Sequence, residues 1–265
     1  MDYQNHPKIQ LAIIGLGRVG MALYKALTQA DCAQVIQVYN RTDRSNEIAQ
    51  INPDTTYIHK LSELANNLDL IIIAVKDDAL QAVAEQLPIN GALVVHISGT
   101  VSSTVLKKFQ NFGVWYPLQT FSADESISLH NVPFCVYANT DASQQLLQKL
   151  TTELGGKYYA INDEARGHLH LAAVYVNNFT NHLLAIANEY TDAHHIEFEI
   201  LKPLIEKTYL RATNQDPKSL QTGPAIRTDI HTMNKHLQLL RTHPQWQKIY
   251  TEISRSIMEM YSTKI

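Results

Sequence analysis

Apolar positions along this chain have two textures. Up to about Ile161 they come as short continuous runs separated by stretches of helical spacing. Ile9-Gln10-Leu11-Ala12-Ile13-Ile14, Val35-Ile36-Gln37-Val38-Tyr39, Asp69-Leu70-Ile71-Ile72-Ile73-Ala74-Val75 and Ala92-Leu93-Val94-Val95-His96-Ile97 are such runs. Consecutive apolar positions are what a parallel strand buried on both faces requires. Between them, Met21, Ala22, Leu23, Ala26 and Leu27, and later Leu80, Val83, Ala84 and Leu87, recur at helical intervals. Shorter strands are predicted at Thr55–Ile58, Val114–Tyr116, Val132–Ala138 and Lys157–Ile161, a helix from Asp141 through Leu154, and helical turns at Leu61–Ala65 and through Val105 and Leu106. The alternation predicts an α/β fold, a doubly wound, mostly parallel Rossmann sheet with right-handed crossovers. From about Asn162 the texture changes to almost unbroken helical periodicity, with helices at roughly Asp163–Ala193, Ile196–Ala212, Asp229–Leu240 and Pro244–Tyr261 and a loop at Asp216–Arg227. The expected organisation is an α/β domain over 1–161 followed by an all-helical domain over 162–265. The first long helix is apolar on most faces (Leu169, Leu171, Val174, Val176, Phe179, Leu183, Leu184), so burial is expected on most faces, against the first domain, a second subunit, or both.

Gly15-Leu16-Gly17-Arg18-Val19-Gly20 follows the first strand at once and opens a helix. In that setting a glycine fingerprint binds a dinucleotide pyrophosphate. Gly15 allows the turn, Gly17 lets phosphate approach the backbone, and Gly20 lets helix and strand sit close. The helix N-terminus offers free N–H groups and partial positive charge. A structural turn without ligand is the alternative.

The tip of the second strand selects the dinucleotide. An acidic residue there accepts from ribose hydroxyls in NAD sites; this chain has Asn40, Arg41 and Thr42, then Arg44 and Ser45. Arg41 suits a 2′-phosphate and an adenine face. NADP(H) is therefore expected over NAD(H). The alternative makes Arg41 a solvated charge and gives the ribose to Asp43. Ligands of such sheets lie beyond the strand carboxyl ends, which nominates Ala74, Val75 and Lys76, and Ser98, Gly99 and Thr100, as lying nearer the nicotinamide. Lys76 reads equally well as a solvated loop lysine.

Composition narrows the remaining classes. With 265 residues, 45% hydrophobic and 18% charged, the chain can bury a sizeable core. A formal net charge of −3 gives no electrostatic case for nucleic acid or an anionic membrane. Met1–Pro7 lacks a leader pattern, and no apolar run is long enough to span a bilayer. Cys32 and Cys135 read as buried thiols in a reducing cytoplasm. Of 12 histidines, eight fall in the helical part, but none sits with an acidic ligand at a recognised spacing, so no metal site is expected.

Four motifs occur in order: His96-Ile97-Ser98-Gly99-Thr100, Tyr116-Pro117-Leu118-Gln119-Thr120-Phe121, His170 through Phe179, and Gly223 through Asp229. With the glycine turn and Asn40-Arg41-Thr42, they resemble a family of NADP-dependent oxidoreductases that joins a Rossmann-like domain to an all-helical C-terminal domain of unknown function. More distant similarity runs to pyrroline-5-carboxylate reductases and β-hydroxyacid dehydrogenases. The resemblance implies an oxidoreductase but supplies no substrate. The β-hydroxyacid dehydrogenases carry a catalytic lysine on the first helix of the second domain; the corresponding position here is Leu171, with Tyr175 where their asparagine follows. That proton-transfer mechanism does not carry over.

Hydride transfer needs a donor to the developing charge. Candidates are His170 first, whose pKa class suits acid–base work, then Tyr175, with Asn177 and Ser98. Gly99, Thr100, Gln119, Asn178, Asn181 and Arg227 are candidates for holding substrate. His170, Val174, Asn177 and Asn181 are spaced by four, three and four and would share one face of an α-helix. Interhelical or subunit hydrogen bonding is the alternative for these asparagines, and a structural pair with Asp229 is slightly favoured for Arg227. The resulting reading is an NADP(H)-dependent reductase of a small carbonyl or imine, a cytoplasmic homodimer through its helical domain. The alternative is an NADP-binding sensor without catalysis.

Overall fold

The protein was analysed as a computed structural model, which describes residues 8–89, 91–121 and 128–262; the Met1–Pro7 segment lies outside them. Contacts divide the chain into two compact units, 1–174 and 175–265.

The first unit is built on an eight-stranded sheet. Its strands are β1 (Ile9–Ile14), β2 (Ala33–Tyr39), β3 (Thr56–Ile58), β4 (Leu70–Ile73), β5 (Leu93–His96), β6 (Asn111–Pro117), β7 (Pro133–Ala138) and β8 (Lys157–Ala160). They lie in the order β3-β2-β1-β4-β5-β6-β7-β8. The helices are α1 (Arg18–Thr28), α2 (Ser45–Ile51), α3 (Asp77–Gln86), α4 (Asp141–Glu153) and α5 (Asp163–Ala173). Neighbouring strands are parallel except β6 and β7, which pair antiparallel. The reversal fits the connection: no helical crossover is found among the described residues between β6 and β7, whereas α4 carries the chain from β7 to its parallel neighbour β8. The turns predicted around Leu61 and Leu106 are short 3₁₀ segments, Leu61–Glu63 and Ser103–Leu106.

The continuous apolar runs have a direct structural reason. Successive β1 side chains supply opposite faces: Leu11 and Ile13 pack in one core with α1 and α4, and Ala12 and Ile14 in the other with Leu80 and Ala84 of α3. Each fully buried leucine, such as Leu23 or Leu70, contributes about 1.5–3 kcal/mol. Trp115 of β6 stacks on Phe134 of β7, and its indole N–H donates to Thr151 Oγ1 at 2.8 Å. With the sheet fixed this way, the carboxyl ends of β2, β1, β4, β5 and β6 share one edge.

The second unit is helical. A π-helical segment, Val174–Phe179, precedes α6 (Thr180–Ala193), and α7 (Lys202–Asn214), α8 (Ile230–Leu239) and α9 (Pro244–Tyr261) follow. The helix predicted to start at Ile196 begins instead with a 3₁₀ turn, Phe198–Leu201, and the Asp216–Arg227 loop contains another, Pro217–Leu220. An apolar groove of about 390 Å³ is lined by Leu183, Ile186, Tyr190, Trp246, Ile253 and Ile257.

Several apolar side chains of the long helix expected to be buried are exposed. Leu171 is 55% exposed, Tyr175 62% and Val176 71%. The asparagines beside them are exposed as well, so water can hydrogen-bond them. The π-helical turn is a second departure. A wider turn slips the register of a helix, so the four-three-four spacing from His170 to Asn181 does not define one face through this segment.

Candidate active site

The glycine turn sits where β1 hands over to α1. Gly15 has φ +100°, and a Cβ there would lie 2.5 Å from the Ala74 carbonyl oxygen, so no other residue fits without strain. A Cβ on Gly20 would lie 2.1 Å from the Gly15 carbonyl oxygen. Gly17 is different: a Cβ there would meet nothing within 4 Å. The space above it is open, at the head of a helix that has no side-chain cap and no acid in its first turn. Among the described residues, the other α-helices of this unit all carry acid there: Glu47, Asp77 and Asp78, Asp141, and Asp163 and Glu164. An uncapped, acid-free helix start with free space over a glycine is the cradle a pyrophosphate needs. Leu16 is buried; Arg18 is exposed and Val19 partly so.

The strand tip closes on this turn. Asn40 Oδ1 accepts the Leu16 N–H at 3.0 Å, and Asn40 Nδ2 donates to the Thr42 carbonyl at 2.8 Å. Tyr57 donates its hydroxyl to the Asn40 carbonyl at 2.8 Å. Arg44 donates to the Leu16 carbonyl and pairs with Glu47 at 2.8 Å, so it is held as part of the turn. Asp43 accepts the Ser45 N–H at 2.8 Å, and bonds from Ser45 hold its carboxyl below the usual range. Its carboxylate is thus engaged at the start of α2. Arg41 and Thr42 are exposed beside the turn.

Further along the edge, Ala74 is buried, Val75 partly buried and Lys76 exposed at the head of α3. Thr100 Oγ1 donates to Asp77 Oδ2 at 2.6 Å, tying the loop after β5 to the start of α3. Ser98 is buried, and its Oγ accepts from the N–H groups of Thr100 at 3.1 Å and Val101 at 3.0 Å. That oxygen shapes the loop by accepting these two bonds. Gln119 is exposed, and its Oε1 accepts the Thr120 N–H at 2.9 Å.

The centre of the site lies between this loop, β6 and α5. Tyr116 Oη lies 3.1 Å from Nδ1 of His170. Both press on Gly99, where a Cβ would fall 2.4 Å from His170 Nδ1 and 2.9 Å from the Tyr116 ring. Burial is the main reason the Tyr116 hydroxyl titrates above its ordinary value; Cys135 and Asp77 add to the rise and Arg166 opposes it. Spacing alone did not bring Tyr116 forward as a site residue: it lies 54 positions from His170.

Beneath them sits a second group that the sequence reading passed over. Arg166 is fully buried. It pairs with Asp163 at 2.7 Å and donates to the Val101 carbonyl, while its Nε–H has no partner among the described residues. Asp163 also accepts from Ser102 Oγ at 2.7 Å, Ser103 N–H at 2.8 Å and Ser103 Oγ at 2.9 Å. Burial pushes the Asp163 carboxyl up, but these bonds outweigh it and leave it lowered. His96 closes β5, fully buried, with Nδ1 accepting the Ser98 N–H at 3.1 Å and Nε2 unpartnered. Burial, then the Arg166 charge, holds its pKa down at about 4, so it is neutral.

Tyr175, Asn177, Asn178, Asn181 and Arg227 belong to the second unit and are exposed there. The favoured Arg227–Asp229 ion pair does not form. Asp229 instead caps α8, accepting from the Thr232 N–H at 3.0 Å and Thr232 Oγ1 at 2.8 Å. Those two bonds, more than the Arg227 charge, lower its carboxyl. Among the described residues no group of three or more His, Cys, Asp or Glu is placed to hold a metal.

Comparison with known proteins agrees with this architecture. The Rossmann-like domain family matches residues 2–120, and a domain of unknown function, DUF2520, matches residues 132–257. No curated protein matches the sequence. Among solved structures, a Bacteroides fragilis protein named as a candidate NADP oxidoreductase is 34% identical, covers 95% of this chain and 98% of its own, and superposes with a TM-score of 0.84. Two more distant structures show the fold alone. One is 1-pyrroline-5-carboxylate reductase from Streptococcus pyogenes, at 16% identity, 96% and 98% coverage and TM-score 0.62. The other is a reductive aminase from Aspergillus terreus, in complex with NADPH and ethyl levulinate, at 14% identity, 96% and 95% coverage and TM-score 0.69. With both halves matched in order, and a third of positions shared along the full Bacteroides chain, this protein belongs to the family of NADP-dependent oxidoreductases that joins a Rossmann-like domain to the helical domain of unknown function.

Proposed function

We propose that the protein is an NADP(H)-dependent reductase of a small carbonyl or imine. The observation that carries the reading is the head of α1: an uncapped, acid-free helix start with open space over Gly17, beside a strand tip that ends in Asn40 and Arg41. Gly15 to Gly20 hold the pyrophosphate, and Arg41 with Thr42 takes the 2′-phosphate. The NADP-linked description of the Bacteroides relative supports the choice of dinucleotide. Ala74, Val75 and Lys76 border the path from phosphates to nicotinamide. When bound, NADPH supplies the hydride.

The chain's own part is to hold the substrate and offer a proton. His170 stands where the strand carboxyl ends of β5 and β6 meet α5, and it is our choice for the donor to the developing charge. Gly99 keeps the backbone close to the imidazole, and Thr100 borders the same loop. In this reading 1–161 carries the cofactor and 162–265 supplies the helical substrate and dimerisation part, with Asn178, Asn181 and Arg227 on the substrate side. The exposed apolar side chains of the helical unit, Val176, Leu204 and Leu210 among them, support a homodimer covering that surface. Among the described residues no helix is long and apolar enough to cross a membrane. The cytoplasm is the proposed location, supported by the free thiols of Cys32 and Cys135.

The test is loss of reduced-nicotinamide absorbance with keto acids, cyclic imines and aldehydes, alongside titration of both cofactors. Turnover with at least one substrate and tighter NADPH than NADH binding are expected. Tight NADPH binding with no turnover across the panel favours the second reading, an NADP-binding sensor, for which the absent catalytic lysine argues. His170→Ala is expected to lower kcat by about a hundredfold or more; unchanged turnover removes His170 as the donor.

A further inference from the structure

In its neutral form, a donor at His170 has a chemical difficulty. A neutral imidazole that gives up its ring proton outright becomes an imidazolate, which is far too basic to form near neutral pH. The contact with Tyr116 resolves it. We propose that Tyr116 is the proton source behind His170, and that the two work as a relay. Tyr116 donates its hydroxyl proton to Nδ1, so His170 presents its other ring proton from Nε2. This deepens the reductase reading and rests on it.

Three elements make the arrangement. β6 brings Tyr116, α5 brings His170 and the loop after β5 brings Gly99, whose missing Cβ is the space into which Nδ1 fits. With Nδ1 engaged at 3.1 Å, no described residue bonds Nε2. The direction of the bond follows from the partners: a phenol is the better donor and a neutral imidazole nitrogen the better acceptor.

The step balances. As hydride reaches the substrate carbon, the substrate oxygen or nitrogen takes the proton from His170 Nε2, and the Nε2–H bond breaks. Nδ1 takes the proton from Tyr116 as the O–H bond breaks. The imidazole ends neutral, with its proton on Nδ1, and Tyr116 ends as a phenolate. A proton from water then enters at Nε2 while Nδ1 returns its proton to the Tyr116 phenolate, which resets the pair. The phenolate needs a counter-charge, and the positive charge of Arg166 favours the ionised form of Tyr116. Arg166 is fully buried, acts electrostatically on Tyr116, and has one N–H without a partner among the described residues. Asp77 and Cys135 act on Tyr116 in the opposite direction, and His96, held neutral, adds no charge. Arg166 therefore has a task beyond pairing with Asp163.

Nitrogen-15 NMR of the histidine rings of the full-length protein tests the pair without relying on turnover. Near pH 8 His170 is expected as a single Nε2–H tautomer. In Tyr116→Phe it should become a mixture of both tautomers, with kcat down about a hundredfold and NADPH affinity within twofold of the parent. Gly99→Ala should give the same mixture with both ring residues intact, because its Cβ displaces the imidazole; it serves if Tyr116→Phe does not fold. A parent Nδ1–H tautomer would overturn the relay, since Tyr116 would then be accepting. Undiminished turnover in Tyr116→Phe overturns it too. A parent that binds NADPH and shows the Nε2–H tautomer but reduces nothing in the panel defeats the reductase reading, and the relay with it, while the Tyr116-to-His170 bond stands.

Discussion

Asn40 Oδ1 accepts the N–H of Leu16 across 24 positions of sequence, at 3.0 Å, so the residue at the strand tip also holds the glycine turn in shape. In the proposed reading, one side chain links the choice of nucleotide to the geometry of the phosphate-binding turn.

Asn40→Asp separates the two roles. The new carboxylate keeps an acceptor for Leu16 but sets a negative charge beside the proposed 2′-phosphate, and it offers an acceptor to ribose hydroxyls. The NADPH-to-NADH affinity ratio is expected to fall by about tenfold or more, an amount that corresponds to roughly 1.4 kcal/mol. Fluorescence titration of both reduced cofactors reads it directly. An unchanged ratio would place the adenosine end somewhere other than beside Asn40.

Arg41→Ala tests the guanidinium. A charge-assisted hydrogen bond contributes about 1.5–3 kcal/mol, so NADPH binding should weaken by at least about tenfold while NADH binding barely moves. Arg44→Ala is expected to weaken both cofactors, because Arg44 bonds the Leu16 carbonyl and supports the turn itself. Equal losses for both cofactors in Arg41→Ala would show that this arginine does not read the extra phosphate.

His96 makes the fold sensitive to mild acid. Its pKa falls from an ordinary 6.5 to about 4 on folding, so the unfolded chain binds the proton more tightly. Stability is full above about pH 6.5 and declines as pH falls toward 4, by on the order of 3 kcal/mol in all. His96→Asn keeps an acceptor for the Ser98 N–H and cannot titrate; urea unfolding midpoints measured across this range should lose most of their slope. An equally steep decline in the variant would assign the sensitivity to other groups.

Asp163→Asn leaves the buried Arg166 guanidinium without its carboxylate. Because Asp163 keeps 30% of its side chain exposed, the loss is expected at about 2–4 kcal/mol, at or below the range for breaking a fully buried pair. The folded carboxyl is lowered, so its contribution is present above about pH 4 and disappears as pH falls through the folded value. That window lies below the His96 one, and unfolding at several pH values distinguishes them. A loss under 0.5 kcal/mol would mean that Ser102, Ser103 and Arg166 find other partners.

The glycine turn was readable in the sequence because its requirements are local. Gly15 and Gly20 stand where a positive-φ turn and a close packing contact exclude a side chain, Gly17 stands under open space, and the strand before them is continuous and apolar. The centre of the candidate site was less readable. Gly99, Tyr116 and His170 belong to three separate motifs, and only the sheet order and the start of α5 bring them together. Arg166 sits three residues after Asp163, a spacing that looks the same on a solvated helix face as in this buried clamp. The π-helical turn leaves no mark in apolar periodicity, and the exposure of Leu171 and Val176 is invisible to a pattern that records only how greasy a helix is.

The clamp at the start of α5 also bears on how the molecule can be cut. Asp163, Arg166 and His170 come after the last strand, yet their partners, Val101, Ser102, Ser103 and Tyr116, are all in the sheet portion. A fragment stopped at Ile161 would retain the glycine turn but forfeit one wall of the candidate site. Carrying the cut to Val174 would restore that wall, making the first turns of the helical region an inseparable part of the sheet-bearing unit.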